Sequence, residues 1–144
     1  MLKRHLTKNP GLATTRIVGR VYFDKSDING MLRTLLHIVT DWPGHFPNGA
    51  ASEAALVGAG VEVNARFDSP HSETLLHWAA SIDDIEVIDA LQDAGADIET
   101  HGVVIAGGTP MDNAVGFGQW KAAGRTRSTD QALARSDAWT LDRI

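Results

Sequence analysis

Three pieces of one stretch decide the fold of this chain: TLLHWAA at residues 74–80, DIEVIDAL at 84–91 and GADIE at 95–99. Thr74 is a good helix N-cap, because its hydroxyl can accept a hydrogen bond from a backbone N–H of the first turn. The leucines and alanines that follow it fall on one helix face, and the aliphatic residues of 84–91 supply a second buried stripe. Gly95 stands where helices commonly end in a left-handed residue. The stretch therefore predicts two helices joined by a short turn.

The same pattern recurs elsewhere in the chain. The other copies read TLLHIV at 34–39, GVEVNA at 60–65 and GTPMDNAV at 108–115. The steps from Gly60 to Gly95 and from Thr74 to Thr109 are both 35 residues, whereas Thr34 and Thr74 are 40 residues apart. A two-helix unit of this size cannot bury its apolar face alone, so stacked repeats are expected.

These residues resemble the ankyrin repeat, whose pattern is Thr-Pro-Leu-His-x-Ala-Ala in the first helix and Gly-Ala-Asp-Val-Asn-Ala after the second. The resemblance implies an all-α ankyrin-repeat solenoid, in which helix-turn-helix units stack and hairpin-like loops connect them. The repeats would span about 30–66, with a five-residue insertion between its helices, 67–100, and 101–123 as a partial unit.

Eight positions carry the repeat pattern, and the resemblance gives them a structural role: Thr34, His37, Gly60, Thr74, His77, Gly95, Thr109 and Pro110. By the same resemblance His37 and His77 would bond the backbone of a neighbouring turn and would not bind metal. Asp112 departs from the pattern, since the family has His there.

Both ends of the chain break the pattern. Residues 1–29 are predicted to be either a partial N-terminal repeat or a mobile basic arm. In the third unit Arg125 and Arg127 stand where an outer helix needs aliphatic residues, so residues 124–129 are expected to form a loop. Residues 124–144 are a divergent tail, which would cap the stack or leave an end open for a second copy.

Composition and charge narrow the functional classes. The chain has 144 residues, a net charge of −5 and no Cys, which excludes disulfides, thiolate zinc sites and a cysteine nucleophile. It has no apolar run long enough to cross a membrane and no signal-peptide pattern, so a cytoplasmic location is expected. Residues 26–120 contain fourteen acidic residues but only two Arg and no Lys, so nucleic acid is not the expected partner.

The insertion at residues 41–49 is the most distinctive local feature. Its two Pro and two Gly prevent a helix, so Trp42, His45 and Phe46 are expected to be displayed on a shaped loop. Aromatic side chains on such a loop are good anchors for a partner. Asp41 and His45 also suggest a metal-assisted hydrolase, but the spacing supplies no third ligand. No phosphate loop or nucleophile elbow is present, so neither an enzyme nor a cofactor is expected.

The resemblance implies a non-catalytic protein-interaction module that binds through its inter-repeat loops and inner helices. Carried over by position, the further contact candidates are Phe67, His71, Trp78, Ile82, Val104 and Ile105. Trp78 is predicted to be an exposed anchor, with packing against the neighbouring loop as the alternative. The acidic middle of the chain favours a basic segment of another protein. A truncated repeat protein that only forms a homodimer through its open terminal repeats is the third hypothesis.

Overall fold

The structure, a computed structural model, describes residues 1–19, 31–67, 72–102 and 107–127. The first elements are α1 (Leu2–Lys8), α2 (Gly11–Thr14), β1 (Ile17–Gly19) and β2 (Met31–Arg33). Three helix pairs follow: α3 (Leu35–Val39) with α4 (Gly49–Gly58), α5 (Leu75–Ser81) with α6 (Ile85–Asp93), and α7 (Pro110–Gly116) with α8 (Trp120–Arg125).

The helices form two rows. In the inner row α5 packs between α3 and α7, and in the outer row α6 packs between α4 and α8. Helix α1 packs on α4 and adds a further helix to the outer row. Strands β1 and β2 are antiparallel, with Ile17 opposite Arg33. The predicted all-α fold of stacked two-helix repeats is confirmed.

Each inner helix begins with the same hydrogen-bonding device, a capping box. In the second unit the backbone N–H of Thr74 donates to Nδ1 of His77 over 3.0 Å. His37 accepts equivalently from the N–H of Thr34 over 3.2 Å. In the third unit Asp112 replaces the histidine, and its Oδ2 accepts from the N–H of Thr109 over 2.7 Å. A carboxylate can therefore replace the imidazole as the acceptor at this position.

The two histidines differ in what their second ring nitrogen does. Nε2 of His77 donates to the backbone oxygen of Gly108 over 3.3 Å, which ties the second unit to the third. Nε2 of His37 is buried and has no hydrogen-bond partner among the described residues. Only His77 therefore bridges two neighbouring units.

The outer helices end as the sequence pattern indicates. Gly60 and Gly95 follow α4 and α6 with φ of +96° and +93°, a conformation that residues with a Cβ rarely adopt. Between these two turns, Nδ2 of Asn64 donates to the Gly95 oxygen over 3.3 Å, and its Oδ1 accepts from the N–H of Asp97 over 2.9 Å. The turns of successive units are thus hydrogen-bonded to each other.

The hydrophobic core runs through the stack between the two helix rows. Its largest apolar side chains are at most 1% exposed: Leu36, Leu56, Leu75, Leu76, Val87, Ile88 and Leu91. A carboxyl group also lies in the core, since Glu53 of α4 is 0% exposed. Glu53 stands 35 residues before Ile88, which is the repeat step, so a carboxyl occupies an aliphatic core position.

The third unit keeps a short outer helix, and the loop predicted from Gly124 begins later. Helix α8 continues through Arg125, whose exposed guanidinium forms an ion pair with Asp89 at 3.0 Å. The Arg125 oxygen also accepts from Nε2 of Gln92 over 2.8 Å. Helix formation at Arg125 therefore requires no burial of its charge, which the sequence argument had assumed. Residues 128–144, and with them most of the predicted tail, lie outside the described part of the chain.

Candidate functional site

A cavity of about 190 Å³ opens on the inner-row side of the stack, where the ends of α3, α5 and α7 meet. We call it the inner-helix cavity, and it is lined by Thr40, Asp41, Trp42, Glu73, Trp78, Ser81, Asn113 and Phe117. Three of these residues are aromatic and two are carboxylates. The cavity thus combines apolar walls with negative charge.

Two of the aromatic walls occupy one repeat position. Trp42, Ile82 and Phe117 are separated by steps of 40 and 35 residues, and each follows the end of an inner helix. Trp42 is 80% exposed and Phe117 is 57% exposed. Stacking the repeats therefore brings large exposed aromatic side chains to the rim of the same cavity.

Trp78 is held in place by its neighbours. Its ring centroid lies 5.0 Å from that of Phe67 and 5.1 Å from that of His37, both in edge-on geometry. Its indole N–H donates to Oε2 of Glu73 over 2.9 Å. Trp78 is therefore partly buried and packs against the inter-repeat segment, and it is not a freely exposed anchor. Phe67 was proposed as a contact residue, but it is only 6% exposed because it packs against this ring.

The 41–49 insertion is fixed to the next repeat. The backbone N–H of His45 donates to Oδ2 of Asp84 over 3.0 Å, and Nε2 of His45 donates to the Ile82 oxygen over 2.9 Å. Gly44, with φ of +74°, lies directly against the Ile82 side chain. The loop therefore holds Trp42 at the cavity rim without burying it.

We expect Gly44→Ala to release this loop. A Cβ at residue 44 would clash with Ile82, and the positive φ is itself strained for alanine, so a loss of about 1–3 kcal/mol in unfolding free energy is expected. Gly58→Ala is the matched control, because Gly58 lies in a helix and a Cβ there meets no atom within 4 Å. Urea unfolding gives the free energy of unfolding of both variants. Equal values would contradict the packing of the 41–49 loop against Ile82.

Asp41 and His45, the predicted hydrolase pair, are hydrogen-bonded to different groups. Asp41 forms an ion pair with Nη1 of Arg33 at 2.8 Å, and its Oδ1 accepts from the N–H of Trp42 over 2.8 Å. His45 is bound to Ile82 and Asp84 instead. Among the residues that the structure covers, no three His, Asp or Glu side chains cluster as a metal ion would require.

Phe46 lies on another surface. It is 41% exposed and lines a second cavity of about 470 Å³ together with His45, Asp83 and Lys121. This cavity lies between the insertion, the turn before α6 and the start of α8. The structure therefore separates Trp42 from Phe46, which the sequence had placed on one loop surface.

Three buried groups have shifted pKa values. Burial lowers the pKa of His37 to about 4, with the charges of Arg16 and Arg33 adding to the shift. Burial also lowers the pKa of His77 to about 4, although its hydrogen bond to the Gly108 oxygen acts in the opposite direction. Burial raises the pKa of Glu53 to about 7, and the nearby Asp93 carboxylate adds to the rise. None of the three lines the inner-helix cavity.

The remaining predicted contact residues, His71, Val104 and Ile105, lie outside the described residues. Sequence reasoning missed Glu73, Asn113 and Phe117, which the stack brings to the cavity. Phe117 had a signal, because it stands one repeat step after Ile82. Asn113 stands one step after Trp78 and had a similar signal.

None of the helices in the described parts of the chain is both long and apolar enough to span a bilayer.

Comparison with known proteins agrees with the architecture. The family model of the ankyrin repeat matches residues 71–100, which contain α5, α6 and the Gly95 turn. No curated protein matched the sequence. With its stacked helix pairs, its Thr–His capping box and this family match, the chain has an ankyrin-repeat fold and contains an ankyrin repeat at residues 71–100.

Proposed function

We propose that this chain is a non-catalytic interaction module that binds a basic segment of another protein at the inner-helix cavity. The observation that carries the proposal is the exposure of Trp42, an indole that is 80% solvent-accessible on a loop fixed by hydrogen bonds. A rigid loop loses little conformational freedom when its aromatic side chain is covered. Ankyrin repeats suggest protein interaction in general, and the cavity supplies a specific place for it.

The apolar contacts support an anchored complex. Trp42 and Phe117 lie at the rim on either side of the partly buried Trp78. Aromatic side chains near the centre of an interface provide a large share of binding energy, because they bury large areas at low entropic cost.

The charges support a basic partner. Asp41 and Glu73 line the cavity, and the chain between residues 26 and 120 is strongly acidic. Complementary charge raises the association rate and disfavours acidic partners. Nucleic acid has little support as a partner for this face because the phosphate backbone is anionic.

The metal-assisted hydrolase has less support, since Asp41 and His45 are engaged with different groups.

Self-association through the terminal repeats is a second candidate. It is favoured by Trp120 and Val115 of the third unit, which are 73% and 44% exposed. Light scattering across a tenfold concentration range tests it, and a mass of one chain at every concentration would exclude it.

Selection from a display library of random dodecapeptides tests the main proposal. The selected peptides are expected to be basic, and Trp42→Ala or Phe117→Ala should weaken their binding at least about tenfold. Trp120→Ala is the matched control, because Trp120 is 73% exposed, close to the 80% of Trp42, but does not line the cavity. Selected peptides that tolerate both rim substitutions would exclude the inner-helix cavity as the binding site.

A further inference from the structure

We infer that the inner-helix cavity takes a single arginine side chain of the partner, with the guanidinium between the aromatic walls and against the acceptors of its polar wall. This inference rests on the proposed function and adds the chemistry of the group that is recognised. It is carried by the hydrogen-bond roles of the residues that line the cavity, taken together with the size of the cavity.

The partly or fully buried lining residues donate their hydrogen-bonding protons within the protein. The hydroxyls of Thr40 and Ser81 donate to backbone oxygens of their own helices, at 3.2 Å and 2.7 Å. The Trp78 indole N–H donates to Glu73, and Nδ2 of Asn113 donates to a backbone oxygen of α5 over 2.8 Å. What these side chains present to a ligand is thus dominated by acceptor oxygens. Such a wall favours a ligand rich in N–H donors.

Asn113 is an independent sign that a donor is missing. The residue is 1% exposed and lines the cavity, yet its Oδ1 has no hydrogen-bond partner in the described part of the chain. A buried acceptor without a partner costs about 1–3 kcal/mol, so a ligand donor that reached it would recover that free energy. Its sequence equivalent in the second unit is Trp78, so the amide is particular to this wall.

Asp41 supplies negative charge at the rim and already binds one guanidinium. Its Oδ2 accepts from Arg33 and its Oδ1 from the Trp42 N–H, each at 2.8 Å. A carboxylate offers about four lone-pair positions, so each oxygen can accept one further N–H. Asp41 can therefore accept from an N–H donor of a ligand as well as from Arg33.

The size of the cavity favours a single inserted side chain, and its walls favour arginine over lysine. A volume of about 190 Å³ is enough for one side chain, so a bound segment would place a single residue in the cavity. Guanidinium is planar, carries five N–H donors and stacks on aromatic faces, whereas ammonium has three donors and stronger hydration. The aromatic walls Trp42, Trp78 and Phe117 suit the planar cation.

Titration of the ¹⁵N-labelled protein with N-acetyl-arginine-methylamide tests the inference. The indole N–H resonance of Trp78 should shift saturably, and the lysine analogue should bind more weakly. The citrulline analogue, which has nearly the shape of arginine without its charge, should bind at least about tenfold more weakly. Trp42→Ala should weaken arginine binding severalfold, whereas Trp120→Ala should leave it unchanged.

Two results would overturn the arginine proposal: equal binding of citrulline, or no saturable shift at Trp78. Display-selected peptides separate this failure from that of the proposed function. If those peptides depend on Trp42 but bind equally well with citrulline for arginine, the cavity is an interaction site without arginine selectivity. If no selected peptide depends on Trp42, the proposed function itself fails.

Discussion

Replacing Glu53 by Ile is expected to raise the free energy of unfolding at pH 8 by at least about 3 kcal/mol. Glu53 is 0% exposed, and neither carboxylate oxygen has a hydrogen-bond partner among the described residues. The equivalent position of the next repeat is Ile88, so the isoleucine side chain suits the site. A buried carboxylate is costly because no donor replaces its lost hydration.

The size and sign of the effect follow from linkage. Burial and the Asp93 charge raise the pKa of Glu53 from 4.5 to about 7 in the folded protein. Between these values the folded state holds a proton that the unfolded state has lost, so stability falls as the pH rises. The full loss, present above pH 7, is about 3 kcal/mol at 1.4 kcal/mol for each pKa unit.

Urea unfolding at pH 5 and pH 8 checks this prediction. From pH 5 to pH 8 the unfolding free energy of Glu53→Ile should rise by about 2–3 kcal/mol more than that of the native protein, because only the native protein has the buried carboxyl group that ionises. Glu53→Gln should show the same additional rise. Glu62→Gln is the control, since Glu62 is an exposed carboxylate of the same repeat. If Glu53→Ile destabilises the protein at pH 8, the carboxylate has a stabilising partner and the argument is wrong.

The repeat architecture was predictable because local and long-range signals agree. Thr74 and His77 specify the start of one helix, Gly95 specifies the end of the next, and both signals recur at the repeat step. Local physics therefore fixes each unit, and the spacing fixes how the units stack. Asp112 forms the same cap as the histidines, because the cap needs only an acceptor atom at that position.

The cavity was less predictable because it depends on contacts between units. The sequence predicts Trp78 as a contact residue, but its burial depends on Phe67, which the chain brings from another segment. The direction of the 41–49 loop depends on hydrogen bonds from His45 to Ile82 and Asp84 in the next unit. Sequence spacing cannot show such bonds. The spacing does identify Phe117 and Glu53 as departures from the repeat, when Phe117 is compared with Ile82 and Glu53 with Ile88, each 35 positions away.

Acid is expected to unfold the protein through its two buried histidines. Burial lowers the pKa of both His37 and His77 from 6.5 to about 4. Between these values the unfolded state binds two protons that the folded state does not, so stability falls as the pH falls. Because Glu53 acts in the opposite direction, maximal stability of the native protein is expected between about pH 6 and 7.

The histidine contribution is clearest in the Glu53→Ile background, where the opposing carboxyl is absent. There the unfolding free energy should fall by up to about 2.7 kcal/mol for each pH unit between pH 6 and 4.5, the limiting slope for two protons. His77→Gln or His37→Gln should halve that slope, since Gln at the third helical position can still accept the capping hydrogen bond. His5→Gln, an exposed change on α1, should leave it unaltered. A slope that neither buried substitution changes would mean that other groups govern acid unfolding. The same comparison separates the two histidines. His77→Gln should also lower stability at pH 7, because it removes the hydrogen bond to Gly108, whereas the N–H that His37→Gln removes has no partner among the described residues.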